Sequence, residues 1–160
     1  MIKELILAAS FLMTPEAMQL GPDVTCMAMN IYMEAGNQSV AGKLAVAHVT
    51  LNRVDMERYP SSVCGVVTQG PTYQTKSGMT FPVKWRCQFS WFCDGKADVP
   101  KEYDRWAEAQ MIAWGMVKFD KYRGITEGAT HYHATYVSPR WAKSLQMVGR
   151  IGAHIFYRWE

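Results

Sequence analysis

The 160-residue chain contains no hydrophobic run long enough to cross a bilayer. Its most apolar stretch, residues 5–13, is broken only by Ser10 and covers nine residues, about half of the roughly 20 that a spanning helix requires. A stable membrane span is not expected. Lysine and arginine nowhere form a run, and the net charge is only +3, which argues against a nucleic-acid partner. Low-complexity segments and internal repeats are absent, so solenoid architectures drop out. No two cysteines stand in a C-x-x-C pair, and the C-x5-C spacing of Cys87 and Cys93 does not suit a zinc knuckle. The length suits a single domain, here residues 22–160, with a core of its own.

What is present is organised around residues 23–54. Val24, Met27, Ala28, Ile31, Tyr32 and Ala35 recur on one helix face, with Asp23 as N-cap behind Pro22. Glu34 follows Ile31 by three residues and Met27 by seven, so it falls on or beside that apolar face. Gly36 and Asn37 read as the helix stop, which puts Glu34 in the last turn, near the negative end of the helix dipole. Burial and dipole both raise a carboxyl pKa, as a general acid needs. The alternative is a partly exposed Glu whose charge reaches water. A second helix opens near Ser39 and runs to about Val54, with Val40, Leu44, Ala47, Leu51 and Val54 as its core stripe. At its end Asn52 and Arg53 bring an amide and a guanidinium toward the region of Glu34, although the spacing is read more simply as a capping Asn and, above all, a surface Arg.

The remaining elements are shorter. Residues 61–69 form a helical turn or a strand, and 70–85 a long irregular segment, of the kind that is often functional. Alternation in residues 88–91 sends Gln88 and Ser90 to one face and Phe89 and Trp91 to the other. A third helix is expected over 100–118, with Asp98 as cap and an apolar surface that includes Tyr103, Trp106 and Trp114. In the strand that follows, His131, His133 and Thr135 share a face. Residues 147–151 and 154–159 read as a hairpin around Gly152. Helices early and strands late indicate an α+β domain, a helical lobe beside a small antiparallel sheet lobe with a groove between them. The four cysteines, Cys26, Cys64, Cys87 and Cys93, allow three complete pairings, of which Cys87 with Cys93 is the short-range candidate; buried thiols are the alternative. Residues 1–21 read as an N-terminal helix or an uncleaved signal-like segment.

Several blocks in order, I-Y-M-E-A, A-V-A-H-V-T-L-N-R-V, Y-P-S-S-V-C-G-V-V-T-Q, C-Q-F-S-W-F-C-D-G, H-Y-H-A-T-Y-V-S-P-R-W and R-I-G-A-H-I-F-Y-R, closely resemble the spore cortex-lytic enzyme family of cell-wall hydrolases. Ordered blocks are far more specific than one short motif. The resemblance implies a lysozyme-like, lytic-transglycosylase type enzyme that cleaves peptidoglycan glycan strands between N-acetylmuramic acid and N-acetylglucosamine. It would act in the cell envelope, periplasmic or extracellular, as a bacterial enzyme or a phage endolysin, as a monomer and without a cofactor. The family's catalytic Glu matches Glu34. Where the family commonly continues E-A-R-G-E, this chain has Gly36, Asn37 and Gln38 after Ala35. Asn52, Gln88, Ser90, Trp91, His131, His133 and Tyr136 become substrate-binding candidates, the polar groups for sugar hydroxyls and N-acetyl groups and Trp91 for stacking on a pyranose ring. Two other readings remain: a metal-dependent wall amidase or peptidase using His131 and His133, and a non-catalytic wall-binding or virion structural module.

Overall fold

The computed structural model describes residues 20–122 and 124–160. The expectations for residues 1–21 therefore lie outside the described residues, apart from Leu20 and Gly21. Helix α1, Pro22–Ala35, starts one residue before the expected cap, with Gly21 at the N-cap and Pro22 in the first turn, where a missing N–H costs nothing. Asp23 does not cap its own helix. Its Oδ1 accepts from the Cys64 N–H at 3.0 Å, within helix α3, Val63–Val67, and the Cys26–Cys64 disulfide ties the same two helices together. At Gly36 a Cβ would come within 2.4 Å of the Tyr32 carbonyl oxygen, which explains why glycine stands where α1 ends.

Helix α2, Val40–Val54, is capped by Ser39, whose hydroxyl accepts from the Gly42 N–H at 3.3 Å. The predicted stripe was too narrow: every residue from Gly42 to Leu51 is buried. Leu44, Ala47 and Leu51 pack with Met27 and Ile31 of α1 and with Ala113 and Met116 of helix α4, Tyr103–Phe119. Ala45 and Val49 instead face Ala129 and Phe156 of the sheet lobe. A helix between two layers has no solvent side, so one-faced periodicity describes only part of it. Full burial of a Leu, Val or Ile side chain contributes about 1.5–3 kcal/mol, and α2 contributes to both clusters, so it joins the lobes. Val40, placed in the stripe, is 52% exposed in the first turn.

Helix α4 begins after Pro100, with Glu102 instead of Asp98 at its N-cap, and Tyr103, counted among its apolar surface, is exposed. The irregular segment contains a two-stranded antiparallel hairpin, β1 (Thr72–Gln74) and β2 (Thr80–Pro82). Strands β3 (His131–Ala134), β4 (Gln146–Ile151) and β5 (His154–Arg158) form an antiparallel sheet in the order β3-β5-β4. Gly152 turns β4 into β5 at φ +59, a backbone conformation that glycine adopts without steric cost. Gln38 Oε1 accepts from the Ala153 N–H in that turn at 3.2 Å, so the segment after Ala35 ties the helical lobe to the sheet. The architecture is α+β, with no described helix long and apolar enough to cross a membrane.

Candidate active site

The end of α1, the end of α2, residues 88–90, β3 and the 3-10 turn Arg140–Ser144 surround a cavity of about 230 Å³. Glu34 lines it from α1, half-buried, its Oε2 accepting from the Tyr132 hydroxyl at 2.7 Å. Burial raises the Glu34 pKa, because a carboxylate loses its hydration there. The Tyr132 hydrogen bond and the Arg53 charge pull it down, and burial dominates. The Tyr132 hydroxyl is itself pushed up, by burial and then by Glu34.

Arg53 is not a surface residue. It is buried to 6% exposure and lines the same cavity. Its Nε–H donates to the Thr130 carbonyl at 2.8 Å and an Nη1–H to Gln88 Oε1 at 3.4 Å. The guanidinium lies 5.3 Å from the Tyr59 ring centre and 5.4 Å from that of Phe89, distances at which a cation is attracted to an aromatic face. Burial lowers its pKa, opposed by the two tyrosines and Glu34, yet an arginine remains charged in proteins. The position one residue from the end of α2 suggested a solvated side chain; the fold buries that end under residues 88–90 and β3.

Residues 88–91 are not a strand. Ser90–Cys93 is a 3-10 turn, and the Cys87–Cys93 disulfide closes the segment. The expected sorting of faces holds for exposure but not for the lining: Gln88 and Ser90 are exposed and Phe89 is buried against Arg53, yet all three line the cavity. Trp91 lies outside the cavity lining. It packs against the helical core, and its Nε1–H donates to Asn30 Oδ1 at 3.0 Å, while Asn30 donates to Thr50 Oγ1 at 3.2 Å. Asn52 likewise faces away from the cavity, donating to Ala129 O at 2.8 Å and Thr126 Oγ1 at 3.1 Å.

His131 lines the cavity. Its Nδ1 is 2.9 Å from Thr130 Oγ1, and its ring lies 5.2 Å from both Trp141 and Trp159. Burial, then Arg53 and Arg58, lower its pKa to about 4, so it is neutral near pH 7. His133 is not at the cavity; its ring nitrogens contact the Ala134 carbonyl at 2.8 Å and the Tyr157 hydroxyl at 2.9 Å. With both nitrogens engaged, the His131 and His133 pair does not present two open ligands, and no group of three His, Cys, Asp or Glu suits a metal among the described residues. Tyr136 is 87% exposed in the turn after β3 and is not part of the lining. The residues not singled out beforehand are Tyr132, Phe89 and Trp141. Tyr132 had a signal, since alternation in β3 turns it away from His131 and toward the helices.

A sequence profile of the cell wall hydrolase family matches residues 37–157, most of the chain. The chain belongs to the cell wall hydrolase family. The matched stretch of this cell wall hydrolase takes in Arg53, residues 88–90, His131, Tyr132 and Trp141 and begins just after Glu34. No curated protein matches the chain. Among solved structures, the catalytic domain of the germination-specific lytic transglycosylase SleB from Bacillus anthracis is similar at a TM-score of 0.59 and 23% identity, over 91% of this chain and 99% of that one. The catalytic domain of the Bacillus cereus SleB protein gives a TM-score of 0.57 at 23% identity, over 85% and 89%. The cell wall hydrolase shares their fold.

Proposed function

We propose that this cell wall hydrolase cleaves the glycan strand of peptidoglycan between N-acetylmuramic acid and N-acetylglucosamine, with Glu34 as general acid and then general base. One observation carries this reading: among the described residues lining the cavity, Glu34 is the sole carboxylic acid, and its surroundings favour the protonated form. A neutral carboxyl can donate its proton to a glycosidic oxygen as the bond to the anomeric carbon breaks. Gln88, Ser90 and His131 would offer hydrogen bonds to the sugars, and Trp141 an apolar ring. The substrate places the site of action in the cell envelope.

Two-carboxylate glycosidases hold their second group roughly 5–9.5 Å from the first. Asp94, Asp98, Glu102 and Glu127 are all absent from the lining. Asp94 accepts from the Lys96 N–H at 2.8 Å, and Glu102 is bonded to the Tyr32 hydroxyl. A lone acid supports intramolecular attack, in which the muramic acid 6-hydroxyl adds to its own anomeric carbon and returns its proton to Glu34. The solved SleB domain named a lytic transglycosylase is consistent with that course. The expected products from purified sacculi are fragments with 1,6-anhydromuramic acid ends, one water lighter than hydrolytic ones. Fragments with only reducing muramic acid ends would make the enzyme a hydrolase, and sacculus binding without fragments would make it a non-catalytic module.

A further inference from the structure

Glu34 presents its two oxygens to different surroundings. Oε2 is taken by the Tyr132 hydroxyl at 2.7 Å, whereas Oε1 has no hydrogen bond among the described residues. Arg53 shares the cavity but makes no direct ion pair with the carboxyl there; its donors go to Thr130 and Gln88. We propose, on the basis of the glycan-cleavage reading above, that Tyr132 and Arg53 are positioning residues for Glu34. The Tyr132 hydroxyl holds Oε2 so that Oε1 carries the transferable proton, and the Arg53 guanidinium balances the carboxylate that remains once the proton has gone.

The geometry separates the two tasks. A hydroxyl donating to one carboxyl oxygen fixes the plane of the group and leaves the other oxygen for the substrate. A bidentate arginine on the same carboxyl would lock it in the ionised form and abolish an acid. Holding Arg53 by a backbone carbonyl and between two rings keeps its charge near without that contact. Proton loss from Oε1 to the leaving oxygen then creates a carboxylate on a half-buried side chain, where a nearby cation has more effect than in bulk water. The proton returns to the same oxygen from the attacking 6-hydroxyl, so the cycle closes with no net change in Glu34. The other groups facing Glu34 carry no charge near pH 7: His131 beside Tyr132 on β3 is neutral, and Gln88, Phe89, Ser90 and Trp141 do not ionise.

The test is carboxyl-carbon NMR titration of Glu34 in the wild type, Tyr132→Phe and Arg53→Lys, with Glu34→Gln assigning the signal. Tyr132→Phe should raise the Glu34 midpoint by about one pH unit, because a bond to the charged form is lost. With sacculus fragments it should lower kcat with little change in KM and move the alkaline limb of the pH profile upward. Tyr132→Phe removes a single oxygen, so it tests the idea even where Arg53→Lys does not fold. An unchanged midpoint and an unchanged alkaline limb in Tyr132→Phe would overturn the proposal. The titration needs no turnover: a lytic Glu34→Gln would defeat the glycan-cleavage reading, while the midpoints would still report on the hold.

Discussion

Arg53 donates from Nε to the Thr130 carbonyl at 2.8 Å, a bond between the last turn of the central helix and the residue that leads into β3. It fixes the distance between the two lobes at the point where Glu34 meets Tyr132. Arg53→Met should therefore do more than remove a cavity-lining charge. It leaves the Thr130 carbonyl without its partner and strips the cation from between Tyr59 and Phe89. Leaving a buried carbonyl without its donor costs about 1–3 kcal/mol. Urea denaturation should show that loss, and a cost below about 0.5 kcal/mol, the range of an ordinary surface substitution, would mean that Arg53 is solvated after all.

Glu34→Gln should fold and lose wall lysis by about 100-fold to 10,000-fold, the usual contribution of a general acid. Its stability should depend on pH in a defined direction. Burial raises the Glu34 pKa above 4.5, so the stability tied to its protonated form is full below that value and is lost as pH rises through the folded pKa. At pH 7 the amide variant should be at least as stable as the wild type, with the difference shrinking toward pH 4. Thermal melts at the two pH values check this, and near-normal turbidity clearing by the variant would remove Glu34 from the mechanism.

The positions of Glu34, α1 and the closing hairpin were legible because each rests on local chemistry: a 3.6-residue period, a helix stop at Gly36, a turn at Gly152. Arg53 was not, since nothing within a few residues of it states that residues 88–90 and β3 will cover the end of α2. Trp91 and Asn52 fall outside the cavity lining for a related reason. Both belong to residue types suited to sugar binding, yet each has a long-range partner, Asn30 and the segment 126–129 respectively, that turns it away from the cavity. His131 and His133 share a strand face, but Tyr157 claims His133 from the neighbouring strand. In each of these cases the deciding partner is remote in the chain.

His131 predicts an acid-side instability. Its folded pKa is lowered to about 4 from 6.5, so the unfolded chain takes up a proton before the folded one does. Stability linked to this residue is present above pH 6.5 and is lost as pH falls through that window toward 4. His154, lowered by burial and then by His133, adds a slope of the same sign. Replacing His131 with Gln should flatten the decline in urea midpoint between pH 7 and pH 5 without abolishing it. An unaltered slope would show that the folded His131 titrates normally.

The two disulfides should separate stability from catalysis. Cys26–Cys64 spans 38 residues and joins α1 to α3, away from the cavity. Cys87–Cys93 spans six, and inside that span lie Gln88, Phe89 and Ser90. Loop-closure entropy assigns about 4 kcal/mol to the first and about 2 kcal/mol to the second. The catalytic ranking should be the reverse. Without the short bridge, Gln88 keeps its backbone bond to the Gln69 carbonyl at 2.9 Å, but the chain loses the link that returns it through the 3-10 turn, so the wall opposite β3 loosens. Replacing both Cys87 and Cys93 with Ser should raise KM on sacculus fragments and lower kcat/KM about tenfold, the loss expected from slight misplacement of binding groups. Replacing Cys26 and Cys64 should lower Tm further yet leave kcat/KM near wild type at temperatures well below the melt. If the Cys87 and Cys93 variant works normally while folded, its bridge is only a staple and the cavity wall is held by packing of Phe89 on Arg53.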